Sequence, residues 1–211
     1  MQDLLSSAVL LVSSLTSAVW LLHRHKQDKP ESHYKVRVFA LSCFFISAYA
    51  LTRLIWSNPG SHTSTLLQMT ENLSFFIALP FIATIFLATG KNWHWSMAGW
   101  GRWLLGLIAF FELTRRTDYG VIYSQVLVIL LLLALVIGAL LLKTSQARLL
   151  SLGGTVLTGI ALLFFSPYPL LAASGNTPWL MLTLAASLPA LTLGLHSQFE
   201  HHSTPQKHDN Q

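Results

Sequence analysis

VIYSQVLVILLLLALVIGALLL, residues 121–142, decides how the rest of the chain is read. The run holds no charged side chain, and its polar residues Tyr123, Ser124 and Gln125 gather at one end. A helix of this length rises about 33 Å, enough to cross a hydrocarbon core of about 30 Å. A helix on a water-soluble surface needs a polar face, and this run has none. Its solvent is lipid.

The composition agrees. The chain has 211 residues, 53% hydrophobic and only 10% charged, with a mean hydropathy of +0.53. Ordinary soluble domains carry about 25% charged residues. The single cysteine, Cys43, excludes a disulfide framework and any zinc site built from cysteines.

Working outward, similar apolar runs cover about 4–22, 38–56, 64–89, 93–113, 149–166 and 178–197. With 121–142 they predict an all-α fold, an integral bundle of seven transmembrane helices in a single domain over 1–200. Residues 201–211 are polar, lack apolar periodicity and are expected to form a disordered cytoplasmic tail. The 93–113 run carries Arg102 and Glu112 and is the one whose full crossing is least secure. The start, Met1-Gln2-Asp3, lacks the positive flank of a secretion signal, and basic residues follow the first run instead, which suits an uncleaved anchor. No internal repeat stands out.

Seven crossings put Arg24, Lys26, Lys29, Lys35, Arg37, Lys91, Lys143, Arg148 and Lys207 on one side, against Arg53, Arg115 and Arg116 on the other. The positive-inside rule therefore places the N-terminus outside and the C-terminus in the cytoplasm. The net charge of +5 reads as basic loops meeting anionic head groups, with no nucleic-acid footprint. Short loops and the lack of eukaryotic targeting signals point to the cell membrane of a bacterium, its inner membrane.

Small residues permit close helix packing in lipid. Ser151, Thr155 and Gly159 form one ridge and Ala186, Ala190 and Gly194 another, and the two are expected to meet. Pro80 and Pro189 should each cost a backbone hydrogen bond and kink a helix. Trp20, Trp56, Trp93 and Trp179 mark span ends, and Trp95, Trp100 and Trp103 continue an interfacial belt.

Charges within the bilayer cost about 2.5–3.5 kcal/mol each on insertion scales unless paired or hydrated. By depth, Arg53 and Glu71 lie on neighbouring helices near the outer face and are expected to form an ion pair. Arg102 lies near the midplane between Gly99 and Gly106, free to bind an anion or Glu71. Glu112 is expected to pair locally with Arg115 and Arg116. Gln68, Asn72, Tyr123 and Gln125 share the outer-leaflet depth, and Tyr49 lies one turn from Arg53. The expected ligand-binding set is Arg53, Glu71, Arg102, Asn72, Tyr123 and Gln125, lining a polar pocket open to the outside.

His94, His196 and Glu200 are weak candidates for a cytoplasmic metal site, since neutral imidazole and carboxylate suit zinc. No metal or cofactor is required by the sequence, and no catalytic residue is assigned. The last span lacks the lysine of a retinal protein, and no Asp lies in any span, unlike membrane hydrolases of the ceramidase and progestin-receptor type. No G-x-S-x-G, P-loop or dinucleotide fingerprint occurs. The favoured expectation is a non-enzymatic sensor or carrier for a small molecule or lipid headgroup. A lipid-acting intramembrane enzyme, or an accessory subunit paired with another membrane protein, are the alternatives.

Overall fold

The computed structural model describes residues 2–26, 30–56, 61–115, 120–167, 169–172 and 174–203. Among these the chain is helical without strands. The helices are α1 (Gln2–Arg24), α2 (Pro30–Ile55), α3 (Ser61–Leu73), α4 (Leu79–Gly90), α5 (Met97–Arg115), α6 (Gly120–Leu140), α7 (Ser145–Phe164) and α8 (Thr177–Ser203). A π-helical turn, Ser74–Ala78, joins α3 to α4 in one continuous rod. Six helices are long and apolar enough to cross a membrane, counting the α3–α4 rod as one. Arg102 and Glu112 keep α5 outside that set.

The expected runs lie within these helices with shifted ends. The 93–113 run starts its helix only at Met97, and the last run continues as helix to Ser203, into the segment expected as tail from 201. Residues 204–211 lie outside the described residues. The π turn explains how Pro80 is accommodated. Proline has no N–H for the carbonyl four residues back, and its ring crowds that carbonyl. Just before it, the Leu79 N–H reaches back five residues to the Ser74 carbonyl, which widens the helix where the ring must fit.

The six apolar helices pack in a closed circuit: α1 on α2, α2 on the α3–α4 rod, α4 on α6, α6 on α7, α7 on α8 and α8 back on α1. The core between them holds Leu10, Phe39, Tyr49, Phe86 and Leu135. Buried hydroxyls are satisfied mostly by their own helices, as Ser42 to the Val38 carbonyl and Thr158 to the Gly154 carbonyl, because lipid offers no alternative partner. Ser14 and Ser47 add a 2.8 Å hydrogen bond between α1 and α2.

Glycines set two of the crossings. A Cβ on Gly138 would lie 2.6 Å from the Phe86 carbonyl carbon, and one on Gly90 2.6 Å from the Leu141 Cβ, so α4 and α6 nearly touch backbones. At the α7–α8 crossing a Cβ on Gly194 would collide with Ser151 Oγ, and one on Gly154 would lie 2.7 Å from Leu191. Ser151 and Gly194 thus meet as their ridges predicted. Gly159 does not take part: it faces Leu132 of α6, with room for a methyl group. Ala186 is exposed.

Pairings also fix direction. Gly90 by Leu141 and Phe86 by Gly138 make α4 and α6 parallel. Ser7 by Met181, Ser13 by Ala185 and His25 by His196 make α1 and α8 parallel. Between α4 and α6, α5 carries the chain from one end of the bundle to the other. It packs from outside the circuit through Trp100 against Phe81, Phe111 stacked on Phe76, and the Trp103 indole donating to Thr84 Oγ1. Trp100 is therefore buried packing, not interfacial belt, whereas Trp93, Trp103 and Trp179 are exposed.

Candidate functional site

The site lies where α3 turns into its π segment, beside the first turns of α6 and the end of α7. A cavity of about 120 Å3 opens there, room for several waters or a small head group. Its polar lining is Gln68, Glu71 and Asn72 from α3, Ser124 from α6 and Ser166 just beyond α7. Its apolar walls include Phe75, Phe76, Leu79, Leu131 and Leu162. The π turn presents both Phe75 and Phe76 to the cavity, next to the polar α3 face.

Ser166 arrives by a folded-back connection. The Leu170 and Leu171 N–H groups donate to the Leu163 carbonyl, and the Asn176 N–H donates to the Phe165 carbonyl. This tucks Ser166 inward at 4% exposure, with its hydroxyl unpartnered. A buried hydroxyl without a hydrogen bond costs about 1–3 kcal/mol, so its position on a cavity wall invites a partner from outside the chain.

Behind Glu71 stand Tyr49 and Arg53 of α2. The Arg53 guanidinium lies 5.8 Å from the Tyr49 ring centre, and Tyr49 meets Phe75 edge to face at 6.3 Å. Glu71 and Arg53 are within electrostatic reach of each other and of the Tyr49 hydroxyl. The expected Arg53–Glu71 ion pair is nevertheless not formed: among the described residues the only ion pair joins His196 to Glu200. The Tyr49 hydroxyl and Arg53 Nε are both buried without a hydrogen-bond partner. The two charges come within electrostatic reach but not into contact.

The remaining expected ligand residues scatter. Asn72 joins Glu71 on the cavity wall. Tyr123 stacks on Phe76 at 5.7 Å and packs against Phe110, at the cavity's edge. Gln125 is half-buried on α6 and does not line the cavity. Arg102 is exposed on α5, away from Glu71, with no hydrogen bond or ion pair among the described residues. The Arg115 and Arg116 side chains expected to meet Glu112 lie outside the described residues. Ser124, Ser166 and the two phenylalanines went unnoticed in the sequence. Ser124 carried a signal, lying between Tyr123 and Gln125 at the same depth. Ser166 carried none, because the folded-back loop that buries it has no sequence signature.

At the opposite end His196 and Glu200 meet as their spacing predicts, Nε2 to Oε1 at 3.2 Å. Their third member is His25, not His94: His25 Nε2 and His196 Nδ1 are 3.0 Å apart. His25 is 3% exposed, with Phe199 beside it. Among the described residues no three His, Cys, Asp or Glu side chains are grouped to hold a metal ion. Both ring nitrogens of His196 are engaged, Nδ1 by His25 and Nε2 by Glu200.

The chain matches no known family model, no curated protein and no solved structure. Helices long and apolar enough to cross a bilayer make it a membrane protein; its activity has to be read from the site.

Proposed function

We propose that this protein crosses the cell membrane seven times, N-terminus outside, and binds a small molecule or lipid headgroup in an outer-leaflet pocket, as a sensor or carrier without catalytic activity of its own. The observation that carries the reading is the cavity, in which Glu71 and Asn72 meet the unpartnered Ser166 hydroxyl above apolar walls. Polar groups this expensive to bury persist in lipid when something satisfies them. A few polar groups over an apolar lining is the usual make-up of a ligand site. The parallel course of α4 and α6 supports a full crossing by α5, whose 19 residues rise about 28 Å. The basic residues clustered at the end where α1 finishes support a cytoplasmic location for that end, and a bacterial inner membrane suits the short loops.

The test is native mass spectrometry on protein extracted in lipid nanodiscs. A small molecule or lipid is expected to stay bound to the parent and to be lost from Ser166→Leu, which fills the cavity from its rim. Equal retention by the two proteins overturns the reading.

A second reading, an accessory subunit held to a membrane partner, is favoured by Arg102 alone. Its exposed guanidinium on a lipid-facing helix suits a carboxylate at the same depth on another chain. Arg102→Leu is then expected to free the protein from a co-purifying partner while leaving its thermal stability intact.

A further inference from the structure

The geometry points to an uncharged ligand with a hydroxyl-bearing head and an apolar body, its hydroxyls among Glu71, Asn72, Ser124 and Ser166; this rests on the ligand-binding reading above and sharpens it. Charge sets the first requirement. Arg53 and Glu71 are the charges that the helices around the cavity carry at this end: α4 and α6 have none, and Arg148 of α7 lies near its start, at the other end from Ser166. The two are within electrostatic reach and sum to zero. Arg53 stands behind Glu71 and does not line the cavity. A ligand therefore touches the carboxylate and meets the guanidinium only through space. A cation or an anion placed here would leave a net charge in a low-dielectric medium, which the membrane interior penalises. An uncharged ligand leaves the balance as it stands.

Hydrogen-bonding roles set the second requirement. Ser124 Oγ donates to the Gly120 carbonyl, so it offers the cavity an acceptor, as the Glu71 carboxylate does. The amides of Gln68 and Asn72 can donate or accept, and so can the buried, unpartnered Ser166 hydroxyl. Two fixed acceptors among groups of either role call for a ligand that donates and can also accept. A hydroxyl does both through one atom, and in a cavity with room for several waters it takes the place of one. The lining also has a direction. Gln68 and Ser124 lie toward the starts of α3 and α6, while Leu79 and Leu131 lie deeper along the same rods. Hydroxyls toward the helix starts and an apolar body toward the middle of the bundle fit this order. A glyceride from the bilayer and a short alcohol from solution share this chemistry.

The experiment incubates delipidated full-length protein with a vicinal decanediol, decanoate and decylammonium, which share one chain length and differ in charge, and separately with a vicinal butanediol. Retention is counted by native mass spectrometry. The parent is expected to hold the decanediol at least about tenfold over either ion, and Ser166→Leu to lose that preference. Glu71→Gln, a near-isosteric change, leaves Arg53 uncompensated and is expected to favour decanoate over decylammonium. Arg53→Gln is expected to favour decylammonium over decanoate. Butanediol held at the level of decanediol keeps the class and moves its source to solution. A parent that holds an ion as well as the diol, or better, and loses it in Ser166→Leu overturns the uncharged class while leaving a ligand site. The parent's order persisting in both charge variants overturns it too. Retention of none of the four, or equal retention by the parent and Ser166→Leu, overturns both readings.

Discussion

Tyr49 is the residue at which packing and hydrogen bonding part company. It is 1% exposed, and its hydroxyl has no hydrogen-bond partner. Tyr49→Phe removes an unsatisfied polar atom and keeps the ring packing on Phe75. Without ligand the variant is expected to be as stable as the parent or more stable by about 1 kcal/mol, read as an equal or raised melting temperature in detergent. A melting temperature clearly below the parent's would mean that the hydroxyl has a structural partner and that the unsatisfied-donor argument is wrong. Glu71, Asn72 and Arg53 were legible in the sequence because charges and amides in apolar runs stand out against their neighbours. That Arg53 and Glu71 stop short of an ion pair was not, since depth along a helix is read from residue number and rotation about its axis is not.

Between elements, small residues decide which helices approach. Gly194 and Gly159 separate two roles that look alike in sequence. Gly194→Ala drives a methyl group into Ser151 and is expected to cost about 1–3 kcal/mol through overpacking. Gly159→Ala meets only Leu132, at an ordinary packing distance, and should be close to neutral. Thermal melts of the pair check this, and equal losses would contradict the crossing. The His25–His196 hydrogen bond ties α1 to α8 in the same way. His196→Ala leaves the buried His25 nitrogen without that partner, for an expected loss of about 1–3 kcal/mol. Glu200→Ala, at a side chain 65% exposed, should cost under about 1 kcal/mol. If the two variants melt alike, the histidine pair does not hold the helices together.

At the scale of the whole molecule, direction is the decisive property. Parallel α4 and α6 put α5 between them as the return segment, and parallel α1 and α8 leave the start of α1 and the end of α8 at opposite ends of the bundle. Single cysteines placed near residue 3 and near residue 203, in a Cys43→Ser background, are expected to react with an impermeant maleimide from opposite sides of intact vesicles. Labelling of both from one side would show an even number of crossings and contradict the parallel course of α1 and α8. Composition and apolar run length were enough to make this a helical membrane protein, because the cost of burying an uncompensated charge in hydrocarbon is local and can be counted residue by residue. Helix neighbours, helix rotation and the folded-back loop that brings in Ser166 came from packing between segments distant in sequence. That Ser166 and the α3 face line one cavity depends on the positions of whole helices, and no single run of residues encodes it.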